Sequence, residues 1–339
     1  MRLSDFDLPF DPGLVALQPV IPRDQARLLL LGRATGRLEH RRVADLPDLL
    51  APGDLLVVND TKVLTARLSG RTRSTGKPVD VLFVKELGDG VWEVMVKGPL
   101  RTGQIIDFDE QSRATILRRD AGGTSVKVDS PLSVRELLQQ RGSMPLPPYI
   151  TRAPIEQDRR WYQTLFARTE GAIAAPTAGL HFTTELLARL DRAGIRLATV
   201  TLHVGTATFK PVVTERVEDH RMGEEAFEVG VEAAKAIVET KQAGRRVVAV
   251  GTTVVRTLET VAGERGGIVP ARGGSRLFIT PGFQFKAVDA LMTNFHLPRT
   301  TLVMLVSAFA GTGLTRKAYE EAVKEGYRFY SYGDAMLII

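Results

Sequence analysis

From Ala66 to Asp129 the chain changes its hydrophobic period, and that change fixes much of what it can fold into. Short runs (ARLSG, KPVDVLFVKE, GVWEVMVKG, GQIIDF, RATILRR, TSVKV) alternate apolar and polar residues between turn residues. A period of two sets one face of each run against a core and the other in water. Several such runs at close, regular spacing predict a small β-barrel or sandwich. The helical run SVRELLQQRG closes the unit, and MPLPPYI (144–150) follows as a stiff, extended return segment.

On either side the texture is different. RLLLLG and DLLVV read as buried strands with a brief helix in ADLPDLL between them. Beyond Thr151, DRRWYQTLFA, FTTELLARLDRAG, EAAKAIVETKQAG, TTVVRTLETVAG, TTLVMLVSAFAG and TRKAYEEAVKEG read as helices. RLATVTLHV and RVVAVG read as strands, and YRFYSYGDAMLII closes the chain as another. This rhythm predicts an α/β domain, a mixed sheet with flanking helices. It spans 1–65 and 151–339, and the small β-barrel domain is inserted over 66–150.

Composition narrows the class. The absence of cysteine removes disulfides, thiolate ligands and a cysteine nucleophile. The start, MRLSDFDLPF, has no apolar signal region, and the longest uncharged stretch, Thr300 to Thr315, is too short to span a membrane. A soluble, cytoplasmic protein with no membrane contact is the expectation. The net charge is +6, and 34 of the 45 cationic residues are arginine. Arginine suits a phosphate-bearing partner, although a mildly basic surface gives the same count. No P-loop, no dinucleotide fingerprint after a strand, no HExxH zinc motif and no GxSxG elbow occurs. A metal site is not expected.

Three of the five histidines sit where an apolar run breaks into small residues: His181 in AAPTAGLHFTTELL, His203 in TVTLHVGTATF and His296 in LMTNFHLPRTT. Open α/β sheets place ligand chemistry at strand ends, and a histidine there can move protons near neutral pH. In VVAVGTTVVRTLE, Gly251 allows a tight turn, Thr252 or Thr253 can cap the helix, and the helix start suits an anion. Arg256 near that start is electrostatically unfavourable, which points to an anionic ligand or a salt bridge. VVNDTK offers Asn59 and Asp60 at another strand end. Thr177, Gly179, Gly205, Asn294, Tyr332 and Asp334 complete the candidate set.

Read together, VVNDTKVLTARL, MPLPPYI, AAPTAGLHFT, TLHVGTATFKPV, VAVGTTVVRTLE, TNFHLPRTTLVMLVSAFAG and YRFYSYGDAMLI resemble the S-adenosylmethionine:tRNA ribosyltransferase-isomerases of queuosine biosynthesis, in the same order and over nearly the whole chain. Three positions depart from the family pattern: Thr65 stands for proline, Ala207 for glycine, and Gly223 for a second histidine near His220. The resemblance implies an α/β domain carrying an inserted barrel and no separate cofactor. S-adenosylmethionine is consumed as a ribosyl donor. Its ribose is transferred and rearranged onto the aminomethyl group of 7-aminomethyl-7-deazaguanine at the wobble position in a tRNA anticodon arm. The products are epoxyqueuosine-tRNA, adenine and methionine.

Such a reaction begins by removing a proton from the 5′ carbon beside the sulfonium. His181 or His203 is the expected proton handler, with Asp60 and Asp334 as secondary candidates. Arg256 and the helix start at Thr252 would hold the methionine carboxylate, while His296 shapes the pocket. The chain is expected to act as a monomer. Two other readings compete, an S-adenosylmethionine-dependent RNA methyltransferase and a non-catalytic RNA-binding module.

Overall fold

The computed structural model of the chain describes residues 1–120, 122–205 and 212–339. Ala207 and the end of the TLHVGTATFKPV motif lie outside the described residues. In chain order the strands are β1 (Arg27–Leu31), β2 (Leu38–Arg42), β3 (Leu55–Asn59), β4 (Thr61–Val63), β5 (Arg67–Thr72), β6 (Pro78–Gly88), β7 (Val91–Val96), β8 (Ile105–Asp107), β9 (Arg113–Asp120), β10 (Gly123–Asp129), β11 (Thr169–Ala172), β12 (Arg196–Leu202), β13 (Glu225–Val229), β14 (Val247–Val250), β15 (Ala271–Ser275), β16 (Ala290–Asn294) and β17 (Ala335–Ile338). The helices are α1 (Leu46–Leu49), α2 (Val134–Arg141), α3 (Asp158–Trp161), α4 (Thr184–Arg192), α5 (Val231–Gln242), α6 (Thr252–Arg265), α7 (Thr301–Ala310) and α8 (Thr312–Lys324).

Two compact units result: Met1–Lys62 with Pro148–Arg152 and Trp161–Ile339, and Val63–Pro147 with Ala153–Arg160. The larger unit holds a nine-stranded mixed sheet in the order β15-β13-β12-β3-β14-β16-β17-β1-β2. Its centre is a run of parallel neighbours, β12, β3, β14 and β16. β13, β15 and β2 were not legible as strands and extend the two edges in antiparallel fashion.

β3, β14 and β16 are buried at every position because both faces are covered. Leu55, Val57, Val247, Ala249 and Leu291 point to a core built with α5, α6, α7 and α8. Their alternates Leu56, Val58, Val248, Ala290 and Met292 point to a second core against α1 and α4. Helix boundaries follow local chemistry. Thr183 caps α4 through the Leu186 amide at 3.1 Å, and Gly194 and Gly244 take positive φ just beyond α4 and α5. DRRWYQTLFA is helical only over α3, and Tyr162 just beyond it is fully buried.

In the smaller unit six antiparallel strands close into a barrel, ordered β10-β7-β6-β5-β8-β9. Closure leaves no free sheet edge. The alternation noted in the sequence is realised as an interior of Leu68, Val81, Phe83, Trp92, Val94 and Ile116. Helix α2 starts with a reciprocal cap between Ser133 and Glu136. Thr65 donates its hydroxyl to the Leu138 carbonyl at 2.5 Å, a bond that a proline there lacks.

Candidate functional site

Parallel strands deliver their C-terminal ends to one edge of a sheet. Here that edge collects Asn59 from β3, His203 after β12, Gly251 after β14 and Asn294 from β16. β17 runs antiparallel to β16 with Asn294 opposite Ala335, so the turn before it, Tyr330 to Asp334, reaches the same edge. A cavity of about 320 Å³ opens at this edge.

One end of the cavity is formed by the start of α6. Gly251 is its N-cap at φ +97, a conformation that side-chain-bearing residues rarely adopt. Neither Thr252 nor Thr253 caps the helix, contrary to expectation; both lie inside its first turn and line the cavity. Amides of that turn have no partner within the helix and carry its positive dipole. Arg256 also lines the cavity. Its charge near this positive end is balanced by Glu225, whose Oε2 accepts from Nη1, while Oε1 accepts from the Gly205 amide at 3.0 Å. The salt-bridge alternative for Arg256 is therefore realised. Yet its Nε is buried and, among the described residues, has no hydrogen-bond partner.

Another part of the lining is aromatic. Tyr149 and Tyr330 stack with ring centroids 4.0 Å apart, and the Tyr149 hydroxyl bonds Ser331 Oγ at 2.7 Å. Burial pushes the Tyr149 phenol up, so it stays protonated. Tyr330 is held at φ +70, unusual for a bulky side chain. Asn294 Nδ2 holds it there by donating to its carbonyl at 2.9 Å. Two polar atoms on this wall, Asn294 Oδ1 and the Tyr330 hydroxyl, are buried without a partner among the described residues.

The histidines divide differently from the expected order. His296 lines the cavity, its Nε2 2.8 Å from Thr293 Oγ1, and burial lowers it to about 4. His181 does not line it. It sits behind Asn294, with Nε2 3.2 Å from Asn294 Nδ2, and is lowered to about 3 by burial and by Arg23 and Arg328. His203 belongs to a separate cluster: its Nδ1 is 2.8 Å from Thr61 Oγ1 and its ring packs on Gly171, where a Cβ would lie 2.9 Å away. Burial lowers it, against the pull of Asp60. Asp60 accepts from Thr201 Oγ1 at 2.6 Å and Arg168 Nη2 at 2.8 Å.

Of the other candidates, Thr177 lines the cavity, whereas Asn59, Gly179, Gly205, Tyr332 and Asp334 do not. Asn59 ties β3 to Leu202 and Thr61. Gly179 admits the Thr164 side chain, with 3.1 Å left for a Cβ. Tyr332 packs edge-on against Trp161 and Tyr162. Asp334 accepts the amides of Arg27 and Arg328 at 3.0 and 2.8 Å. His220 packs edge-on against Phe278 at 5.3 Å. Tyr149, Tyr162, Tyr330, Glu225 and Thr293 were missed. The tyrosines had a signal, since aromatic residues inside a proline-rich segment and beside a glycine turn exceed what a linker needs.

A larger, more open cavity of about 760 Å³ lies near Glu259, Arg276 and Lys286. Two of its charged residues are engaged locally: Glu259 accepts three amides, of Lys286, Ala287 and Val288, and Arg276 pairs with Glu224 at 2.8 Å. No helix among the described residues is long and apolar enough to cross a membrane.

Known proteins resemble the chain throughout. The S-adenosylmethionine:tRNA ribosyltransferase-isomerase of Anaeromyxobacter sp. (strain Fw109-5) is 52% identical over 345 residues, covering 100% of this chain and 99% of that protein. The protein of the same name from Symbiobacterium thermophilum is 50% identical over 343 residues, covering 100% of both. The crystal structure of the S-adenosylmethionine tRNA ribosyltransferase from Thermotoga maritima aligns with a TM-score of 0.58 at 38% identity, over 99% of this chain and 100% of that one. Residues 3–338 match the family described as queuosine biosynthesis protein, and the chain belongs to that family.

Proposed function

We propose that the chain is an S-adenosylmethionine:tRNA ribosyltransferase-isomerase and that the cavity at the strand ends holds S-adenosylmethionine. One observation carries the placement. A single enclosure of about 320 Å³, within the size range of ligand sites, joins a helix start suited to an anion to a wall of tyrosine rings suited to a cation. S-adenosylmethionine carries both features, a carboxylate and a sulfonium. The carboxylate sits on the first amides of α6 and on Arg256 Nε. The sulfonium lies by Tyr149 and Tyr330, and Asn294 Oδ1 and the Tyr330 hydroxyl gain partners from the ligand.

Within this arrangement His296 is the cavity histidine that takes the proton from the 5′ carbon. A buried imidazole near 4 is neutral at working pH and able to accept a proton. Once protonated it is a stronger acid than an ordinary imidazolium, and so a ready donor to the adenine nitrogen as the glycosidic bond breaks. The sulfonium–carbon bond also breaks with its electron pair leaving on the methionine sulfur, a ribose oxygen closes the epoxide, and a new bond forms to the aminomethyl nitrogen of the tRNA base as that nitrogen gives up a proton to water. His181 acts through Asn294, which it helps to orient, and does not touch the ligand. No separate cofactor is needed. With a tRNA substrate we place the protein in the cytoplasm, acting as a monomer.

Incubation with S-adenosylmethionine and tRNA bearing 7-aminomethyl-7-deazaguanine tests the reaction. Adenine and methionine should appear together with a heavier RNA. S-adenosylhomocysteine with methylated RNA would mean a methyltransferase, and intact S-adenosylmethionine a binding module. Arg256→Lys tests the carboxylate end while keeping Glu225 paired. Losing one charge-assisted bond should raise KM for S-adenosylmethionine about tenfold or more. An unchanged KM would place the carboxylate elsewhere.

A further inference from the structure

Beside the cavity lies a group of cations that this chemistry leaves unused. Arg23 donates to the carbonyls of Leu180 at 2.9 Å and Trp161 at 3.5 Å. Arg27 donates to the Glu325 carbonyl at 2.7 Å and lies 3.7 Å over the Tyr327 ring. Arg328 donates to the Gln18 carbonyl at 3.3 Å. Carbonyls fix the direction of a guanidinium without neutralising it.

Asp334 accepts the backbone amides of Arg27 and Arg328 with its two oxygens. Arg328 Nη2 is buried, ion-paired with Asp334 Oδ1 at 3.5 Å, and makes no hydrogen bond among the described residues; the rest of the side chain is partly exposed, and Nη1 faces outward. Other arginines of this unit are paired directly, as Arg246 is with Asp54 and Arg272 with Glu228. Arg27 and Arg328 thus flank one carboxylate. Burial and the nearby Arg328 bring Arg23 down to about 10, against Tyr332, and it stays charged at neutral pH. Like charges held this close raise the energy of the empty surface, and an anion would lower it.

The aromatic surroundings complete the surface. Trp161 is partly exposed and packs edge-on against Tyr332 at 6.4 Å, and the Arg23 guanidinium lies 5.6 Å from the same ring. The patch adjoins the cavity through the chain itself: Trp161 precedes Tyr162, and Tyr332 follows Ser331, and both Tyr162 and Ser331 line the cavity.

We infer that Arg23, Arg27, Arg328 and Trp161 form a docking surface for single-stranded RNA, the guanidinium groups taking backbone phosphates and the indole stacking on an unpaired base. Forked guanidinium donors match phosphate oxygens, and unpaired bases are recognised by stacking on aromatic planes. The inference rests on the cavity being the site of a tRNA-modifying reaction, because that is what calls for RNA at its rim.

Binding of a fluorescent anticodon stem-loop, followed by anisotropy across a salt series, tests it. Arg328→Gln, Arg27→Gln and Trp161→Ala should each weaken binding about tenfold. The two arginine changes should also lower the log–log salt slope by about 0.7 each, the value for one phosphate contact on a single strand. Trp161→Ala should leave the slope unchanged, Arg328→Lys should restore it, and Arg272→Gln on β15 should match wild type. Calorimetric S-adenosylmethionine binding by the same variants should keep its wild-type affinity, which separates a lost contact from misfolding. Wild-type RNA affinity and slope in both arginine variants would overturn the inference. Loss of RNA affinity in a protein that leaves S-adenosylmethionine unconsumed would keep the docking surface and overturn the reaction.

Discussion

His296→Gln should lower kcat by about 10²–10⁴-fold, the usual worth of a positioned acid–base group, while S-adenosylmethionine still binds. Glutamine retains a polar group toward Thr293 Oγ1, which bonds the imidazole at 2.8 Å, so the pocket keeps its shape and loses its proton acceptor. His181→Asn should act differently. It disturbs the support of Asn294 and lowers stability, with a smaller loss of turnover. Single-turnover adenine release measured for both variants decides between them. Near-normal release from His296→Gln would return the proton step to His181 or to the His203–Asp60 cluster.

The same burial makes the folded protein sensitive to acid. His181 and His296 are lowered from 6.5 to about 3 and about 4. Below 6.5 the unfolded chain therefore binds protons that the folded chain refuses. The stability these groups contribute is fully present above 6.5 and is lost as pH falls toward 4. Each contributes about 1.4 kcal/mol per pH unit in that window, so the pair gives a slope of about 2–3 kcal/mol per unit between pH 6 and 4. His203 and His220 shift in the same direction and add to it. Urea unfolding at pH 7.5, 6 and 5 measures the slope, and His296→Gln should remove roughly half of it. Equal stability at pH 7.5 and 5 would mean that the histidines are not held neutral by burial.

The fold was legible where a single periodicity governs a segment. The barrel strands alternate, β3 and β14 are built on apolar runs, and glycines beyond α4 and α5 mark helix ends. Edge strands β13 and β15 were not legible, because EAFEV puts Glu225 on the same buried face as Phe227 and Val229 and ARGGS has little apolar content, and both are held by pairing with each other. The site was legible only in its backbone. Gly251, Asn294 and His296 stand at strand ends that any parallel sheet would gather. What sequence order could not supply is the direction of each side chain. His203 and Val204 are adjacent, yet Val204 faces the cavity while His203 packs on Gly171. Tyr149 and Tyr330 are far apart in sequence, and only the folded chain stacks them. Glu225 was invisible because its role depends on meeting Arg256 across 31 positions.

A crystal structure of the protein with bound S-adenosylmethionine tests the central placement most directly. The expected result is a ligand at the strand ends, its carboxylate on the Thr252 and Thr253 amides and Arg256, its sulfonium beside Tyr149 and Tyr330, and its 5′ carbon within reach of His296. A ligand seated instead near Glu259, Arg276 and Lys286, or against His203 and Asp60, would contradict it.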